Sequence, residues 1–428
     1  MVGNPPFAVR WGILATGGIA QTFTKDLLRD PATRNVSDVQ HIVVAAASST
    51  SKERAAQFLK DCGAPSSAVA YGSYKELVAD PSVDIIYVAT PHSHHFQNAM
   101  LCLEAGKPVL CEKAFTVNAA QAKLLCQKAK EKNVFLMEAV WTRFFPLSKQ
   151  IRSLVSEGKL GTVHRVIADL SFGEDVEEKW GTKHRMTNPD LAGGALLDLG
   201  IYPLTWVFQI LYHLTPPALR QAPTVTSSAT KYHLTGVDET TSIILTFPPP
   251  KPSSSSSATT TTNTNTSAIF PSPTHGIATT SMRISTDPTG HGATGPAIRI
   301  QGTKAEIQVD HPAFRPTRYR FIPRVAGMEG VQGGKGGAPG TLGDGSSSSG
   351  TTDASTGVRE VEIPIPGQGM FWEADECARC LRDGKKESDG LGHAESIAFM
   401  DVLDEVRRQN HLSFPARIES TEFPLEGF

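Results

Sequence analysis

At 428 residues the chain is long enough for two or more domains, each with a real core. A formal net charge of −2 and the lack of a long basic block argue against a nucleic-acid partner. Six cysteines are too few for a disulfide framework. Neither a signal peptide nor an apolar span is visible, so a cytoplasmic protein with no membrane partner is expected.

Over residues 1–145, apolar runs alternate with helical patterns. Residues 9–14, 42–47, 84–89, 108–111 and 134–137 read as buried strands. Residues 19–28, 52–59, 94–104 and 118–131 read as helices. This alternation predicts an α/β Rossmann domain with a parallel sheet covered on both faces. After residue 145 the rhythm changes. A helix over 145–156, a long strand over 162–172 and a helix over 195–211 come first. Strand-like segments follow at 224–232, 240–247, 278–284, 297–301, 305–309 and 359–363, and helices at 370–382 and 393–409 close the chain. Strands in succession predict an α+β domain, residues 146–428, with a largely antiparallel open sheet. Two stretches, 248–268 and 327–357, are Ser-, Thr-, Pro- or Gly-rich and lack core-forming residues, so they read as disordered loops between strands.

At the first strand-to-helix turn, Ala15, Thr16, Gly17, Gly18 and Ile19 supply the small residues that let a backbone approach a pyrophosphate. The first glycine of the usual fingerprint is replaced by Ala15. The second strand ends without the acidic residue that binds both ribose hydroxyls of NAD. Ser48, Ser49, Lys52 and Arg54 stand there instead, and they suit the 2′-phosphate of NADP. The competing reading is a serine helix cap with solvated charges. Thr90, Pro91, His92 and His95 follow a buried strand, where open α/β sheets bind ligands, and read as a cofactor-lining loop. The three histidines of residues 92–95 have no interleaved carboxylate or cysteine, so no metal is expected. The Cys377/Cys380 pair has no second pair and reads as structural.

Lys113 follows the apolar run at 108–111, and Asp198 and Tyr202 are four residues apart, on one face if that segment is helical. Lysine, aspartate and tyrosine can converge on one substrate hydroxyl and remove its proton while a hydride leaves the adjacent carbon. A tyrosine near its ordinary pKa of ~10 is a poor base at neutral pH, and a nearby ammonium is expected to lower it. Trp141, Arg143 and Phe144 sit at the domain crossover. They could wall a pocket, with Trp141 and Arg143 also reaching the cofactor, or they could be interdomain packing. Trp180, Arg185 and Trp372 are weaker candidates for the pocket.

With these motifs the chain resembles the glucose–fructose oxidoreductase/inositol dehydrogenase (Gfo/Idh/MocA) family, in its branch of dimeric dihydrodiol dehydrogenases and NADP-dependent D-xylose dehydrogenases. Residues 11–20, 89–95, 107–113, 135–146, 193–202, 236–238 and 370–388 carry the likeness. The resemblance implies a Rossmann domain followed by an α+β domain whose open sheet serves as a homodimer face. It implies that Lys113 is an active-site lysine of a Glu-Lys-Pro motif, here Glu112-Lys113-Ala114, with Glu112 and Lys113 beside the cofactor. Alanine in the proline position leaves a cis peptide there open, since a non-proline cis bond costs ~3 kcal/mol. It implies that Tyr202 is the acid/base, that Lys113 lowers its pKa, and that Asp198 binds substrate or orients Lys113. The expected reaction is NADP-dependent oxidation of a small-molecule substrate, D-xylose or a close aldose, at C1 to the lactone. The alternatives are oxidation of a trans-1,2-dihydrodiol to a catechol, a two-sugar oxidoreductase with trapped cofactor, and a non-catalytic NADP sensor. A sensor should have lost Lys113 or Tyr202, and the chain keeps both.

Overall fold

Strand β1 (Phe7–Leu14) is exposed at its first two residues and wholly buried over its last four, as a central strand covered on both faces requires. The computed structural model describes residues 5–250, 270–290, 295–324, 349–353 and 355–426. It places β1 in a six-stranded parallel sheet of order β3-β2-β1-β4-β5-β6. The other strands are β2 (Val39–Ala47), β3 (Val69–Tyr71), β4 (Ile85–Val88), β5 (Val109–Glu112) and β6 (Leu136–Ala139). Helices α1 (Gly18–Leu27), α2 (Lys52–Cys62), α3 (Tyr74–Ala79), α4 (His92–Glu104) and α5 (Ala119–Lys132) cover the sheet. Strand order reverses between β1 and β4. The carboxyl ends of β1, β4 and β5 therefore open into one crevice, the ligand position of such sheets.

Helix α6 (Pro146–Ser156) leads into a second sheet of nine strands, in the order β14-β15-β13-β12-β11-β7-β10-β9-β8. Its strands are β7 (Val163–Ser171), β8 (Thr224–Lys231), β9 (Asp238–Phe247), β10 (Thr274–Ser281), β11 (Ile298–Gly302), β12 (Ala305–Val309), β13 (Arg318–Pro323), β14 (Ser349–Thr352) and β15 (Arg359–Glu362). All neighbours are antiparallel except β7 and β10. Two short helical pieces, α7 (Val176–Lys179) and α8 (Ala195–Asp198), precede the main cover of this sheet, α9 (Ile201–Leu211). Helix α9 is buried along its whole length and packs on β7 and β10.

Several expectations change. The segment expected at 278–284 is β10, four residues earlier. Strands β3 and β13 and helix α3 were not anticipated. The helix expected over 195–211 breaks at Leu199–Gly200. Strand β14 lies inside the stretch expected to be a loop and pairs with β15 from Ser349–Glu362 to Thr352–Arg359, so that stretch is not freely removable. The expected disorder of 251–268 and 327–348 falls outside the described residues. Pro189–Leu211 is also long and apolar enough to cross a membrane by length and composition, which the sequence reading did not register. Within it, 94% of the most apolar window is buried inside the protein.

The chain then returns to the first domain, so packing runs across the expected boundary at 145/146. Helix α10 (Phe371–Arg382) lies on β1 and β2, and α11 (His393–Gln409) lies on α5. Asp26 of α1 accepts the backbone N–H groups of Gln368, Gly369 and Met370 at 3.1, 2.7 and 2.9 Å. Asp375 of α10 accepts both prongs of the Arg34 guanidinium at 2.9 and 2.8 Å and lies 2.9 Å from His41 Nε2. Trp11 Nε1 donates to His41 Nδ1 at 3.1 Å. The six cysteines are buried and free.

Candidate active site

The turn after β1 is built for close approach. Ala15 takes a left-handed φ of 91° and donates its N–H to Ala47 O of β2 at 3.1 Å. Gly17 caps α1 with no side-chain partner, and a Cβ built at Gly17 or Gly18 would meet nothing within 4 Å. The first amides of α1 thus face open space at the positive end of the helix dipole, which suits a phosphate. At the end of β2, Ser48 is buried and turned to Thr50, Oγ to Oγ1 at 2.9 Å. Ser51, which the sequence reading did not single out, caps α2 by accepting the Arg54 N–H. The Arg54 side chain reaches back across the crevice, its Nε donating to Thr16 Oγ1 at 3.2 Å. A guanidinium from the first turn of α2 and a hydroxyl from the β1–α1 turn therefore meet where a ribose phosphate would lie. These residues fit NADP.

Pro91 starts α4 at the end of β4. His95 is buried, with Nδ1 2.9 Å from Ala114 O and Nε2 2.8 Å from Thr90 O. It clasps the ends of β4 and β5 together instead of facing the crevice, and burial pushes its pKa down to about 4. His92 lies with Nε2 3.9 Å from Asp198 Oδ1, and burial holds it neutral with a pKa of about 3. Glu112 is also turned inward. It accepts the Tyr87 hydroxyl and the Lys113 N–H, the latter at 3.1 Å, and burial raises its pKa. Its carboxyl is engaged from both sides within the protein, so it braces Lys113 and does not present itself to a cofactor. The Lys113–Ala114 peptide is cis.

The break between α8 and α9 brings the reactive groups together. Gly194 precedes α8 with φ 129°, and a Cβ there would strike the Asp238 carboxylate. Asp238 Oδ2 accepts the Leu196 N–H at 2.6 Å and so fixes the start of α8, while burial raises the Asp238 pKa to about 6. At the end of α8, Asp198 offers two oxygens to Lys113 Nζ, the backbone carbonyl at 2.8 Å and Oδ1 at 2.9 Å. Arg185 Nη1 donates to the same Oδ1 at 2.8 Å. Burial alone would raise the Asp198 pKa. The charges of Lys113 and Arg185 override it and hold the carboxyl well below the usual range. Lys113 Nζ lies 5.1 Å from the centre of the Tyr202 ring, and Trp141 Nε1 donates to the Tyr202 hydroxyl at 2.9 Å. Lysine, aspartate and tyrosine thus converge as expected, but the titration differs. Burial, reinforced by Glu112, raises the Tyr202 pKa well above its ordinary value. The ammonium bonds to Asp198 and sits over the tyrosine ring, so it does not lower that pKa in this state.

The structure corrects the crossover residues. Arg143 is fully buried, with Nη1 2.9 Å from Glu395 Oε1 and Nη2 donating to Gly390 O at 2.9 Å. It is an interdomain strut with no surface for a cofactor or substrate. Phe144 is buried against Gly390 for the same reason. Trp372 packs on Phe145, which packs on Trp141, so it stands two rings behind the cleft. Trp141 itself stands beside Tyr202.

One wall residue was missed. Phe314 lies nearly parallel to Trp141 at 6.0 Å between ring centres and 5.8 Å from the Tyr202 ring. It is held by Thr142 Oγ1, which donates to Phe314 O at 2.5 Å, and by Trp206 Nε1, which donates to Ala313 O at 2.8 Å. At the mouth, Trp180 stacks against His184 next to Arg185.

Comparison with known proteins agrees with this geometry. Residues 9–140 match the model of the Gfo/Idh/MocA oxidoreductase family, NAD-binding Rossmann fold, and residues 148–308 match the Gfo/Idh/MocA C-terminal domain. The chain is 51% identical to the D-xylose 1-dehydrogenase (NADP(+)) of Hypocrea jecorina, across 98% of this chain and 96% of that protein. It is 32% identical to the human trans-1,2-dihydrobenzene-1,2-diol dehydrogenase, across 95% and 98%. Among solved structures, the aldose-aldose oxidoreductase of Caulobacter crescentus complexed with glycerol has a TM-score of 0.65 at 18% identity, covering 94% of this chain and 98% of that one. The 3-ketoreductase KijD10 of Actinomadura kijaniata, in complex with NADP and TDP-benzene, has a TM-score of 0.65 at 17% identity, covering 96% and 100%. At such identities these structures speak for the fold alone. The chain belongs to the Gfo/Idh/MocA family of oxidoreductases.

Proposed function

We propose that the protein oxidises D-xylose, or a close aldose, at C1 to the lactone with NADP. The observation that carries this reading is the convergence of Lys113, Asp198 and Tyr202 beside Trp141, in a chain half identical to an NADP-dependent D-xylose dehydrogenase. The turn at 15–19 would hold the pyrophosphate, Arg54 with Thr16 and Ser49 the 2′-phosphate, and Thr90, Pro91, His92 and Lys113 the nicotinamide end. When bound, NADP supplies the acceptor for the hydride from C1.

The protein's own groups do the rest. Tyr202 Oη takes the proton of the C1 hydroxyl. Lys113 is fixed by two bonds to Asp198 and places a positive charge where the oxyanion develops. The exposed Arg185 guanidinium offers donors to the sugar hydroxyls, and Trp141 and Phe314 supply plates for its C–H face. Those plates also suit a flat carbocycle, which keeps trans-dihydrodiol oxidation to a catechol as the second reading. NADP reduction screened over pentoses, hexoses and a trans-dihydrodiol decides between them. Tight NADP binding with no turnover on any substrate would instead support the sensor.

The direction of the Tyr202 shift sets the pH dependence. The base form is scarce at neutral pH, so kcat/KM for aldose oxidation should climb about tenfold per pH unit from pH 7 to 9 without a plateau. A flat profile over that range would take Tyr202 out of the base role. Arg54→Ala should raise the KM for NADP by about 10- to 100-fold, the scale of a charge-assisted bond. An equal loss with NAD would show that Arg54 does not read the 2′-phosphate.

On the open face of the second sheet, Ile244, Ile277 and Ile167 stand side by side in register on β9, β10 and β7, Ile244 exposed and the other two partly so. This apolar row supports a homodimer through that face. Light scattering should then give about twice the chain mass of 45.9 kDa. The six buried free thiols fit a cytoplasmic, reducing compartment.

A further inference from the structure

The cleft is closed at one end and open at the other. Asp198 and Tyr202 are buried at the inner end and Lys113 nearly so, while the Arg185 side chain, bonded to the same Asp198 carboxylate, is 52% exposed. A sugar that presents C1 to Tyr202 therefore enters C1 first. In a pyranose, C4 lies across the ring from C1, so C4 comes to rest at the mouth, beside Arg185.

The surface does not close there. Phe172, Glu174, Lys179, Trp180 and His184 continue from Arg185 as an open pocket of about 260 Å³. That leaves room for one more sugar ring. Phe172 is an exposed apolar plate. Trp180 and His184 stack within 10° of parallel. Lys179 and Glu174, an ion pair, give a charged edge. Aromatic surface beside charged hydrogen-bonding groups is what a sugar ring needs, with its C–H face on the plates and its hydroxyls on the charges.

We propose that this pocket is a subsite for a second sugar ring linked at C4 of the reacting one, so that the enzyme oxidises the reducing end of short 1,4-linked xylose oligosaccharides as well as free D-xylose. The proposal rests on the aldose reading above. The chemistry is unchanged. The C1–H bond breaks and its hydrogen leaves with both electrons as a hydride to NADP, which is reduced. The C1 hydroxyl proton goes to Tyr202. C1 is oxidised from hemiacetal to lactone carbonyl, and the glycosidic bond at C4 stays intact.

The test is NADP reduction with D-xylose, xylobiose and xylotriose by the wild-type enzyme, Trp180→Ala and Phe172→Ala. A wild-type kcat/KM for xylobiose of at least a tenth of that for D-xylose is expected, with the intact oxidised disaccharide as product. Each variant should lower the xylobiose-to-xylose ratio of kcat/KM by about tenfold, a loss of ~1.4 kcal/mol. If either variant does not fold, the other decides. D-xylose oxidised with xylobiose below a tenth of its efficiency overturns the subsite and leaves the aldose reading standing. A ratio unchanged in the variants overturns it as well. Activity with neither sugar removes the aldose reading, and the subsite with it.

Discussion

Tyr202→Phe should lower kcat for aldose oxidation by ~10²-fold or more, the usual cost of losing a positioned general acid/base. The ring stays and only Oη goes, so the Lys113–Asp198 pair keeps its two bonds. Trp141 Nε1 loses its acceptor in a buried setting, at a stability cost of ~1–3 kcal/mol. The variant must therefore be assayed below its own melting transition. NADP affinity, read by tryptophan fluorescence, should stay within about twofold, because a twofold change is well under 1 kcal/mol. An unchanged kcat would mean that another group takes the proton. A collapse of NADP affinity would mean that Tyr202 serves the cofactor.

Asp375→Ala should destabilise the protein by ~3–5 kcal/mol, the cost of breaking one side of a buried pair. Asp375 answers both prongs of Arg34, and both side chains have no exposed surface. Its removal leaves a guanidinium buried without a counter-charge and frees His41, which in turn holds Trp11. The network joins α10 to β1 and β2, so its loss should also loosen the return of the chain to the first domain. Urea unfolding should show a large drop in midpoint for Asp375→Ala. Asp38→Asn, which touches the half-exposed bond to Arg379, should shift the midpoint far less. Equal shifts would show that the Asp375 bridge is replaced by packing or water.

Much of the first domain was legible because buried parallel strands are continuous apolar runs, as in Ile85–Val88 and the Val109–Cys111 part of β5. Strand β3 has three residues and α3 has six, too few for periodicity to register. In the second domain, half of each strand faces solvent and the segments are cut by Ser/Thr/Gly-rich stretches. That hid β13 and β14 and shifted β10.

Lys113, Asp198 and Tyr202 were legible from motif spacing and resemblance. Their electrostatics were not, since the partner of the Lys113 ammonium is settled only by the break at Leu199–Gly200. Arg143 shows the limit clearly. In sequence, an arginine at a domain crossover looks the same whether it faces a ligand or Glu395, which lies far along the chain. Phe314 lies in the β12–β13 connection, which the sequence does not mark off because β13 carries no clear strand pattern. The Pro312 and Pro316 that flank it were the available signal.

In the proposed reaction, hydride leaves C1 of an aldose at the Lys113–Asp198–Tyr202 site. Turnover of C1-deuterated D-xylose with NADP, followed by NMR of both products, tests it most directly. The deuterium should be found in the reduced cofactor, the sugar product should be the lactone or its acid, and Tyr202→Phe should yield labelled cofactor at least ~10²-fold more slowly. Deuterium retained in the oxidised sugar, or label transfer at the wild-type rate in Tyr202→Phe, would contradict it.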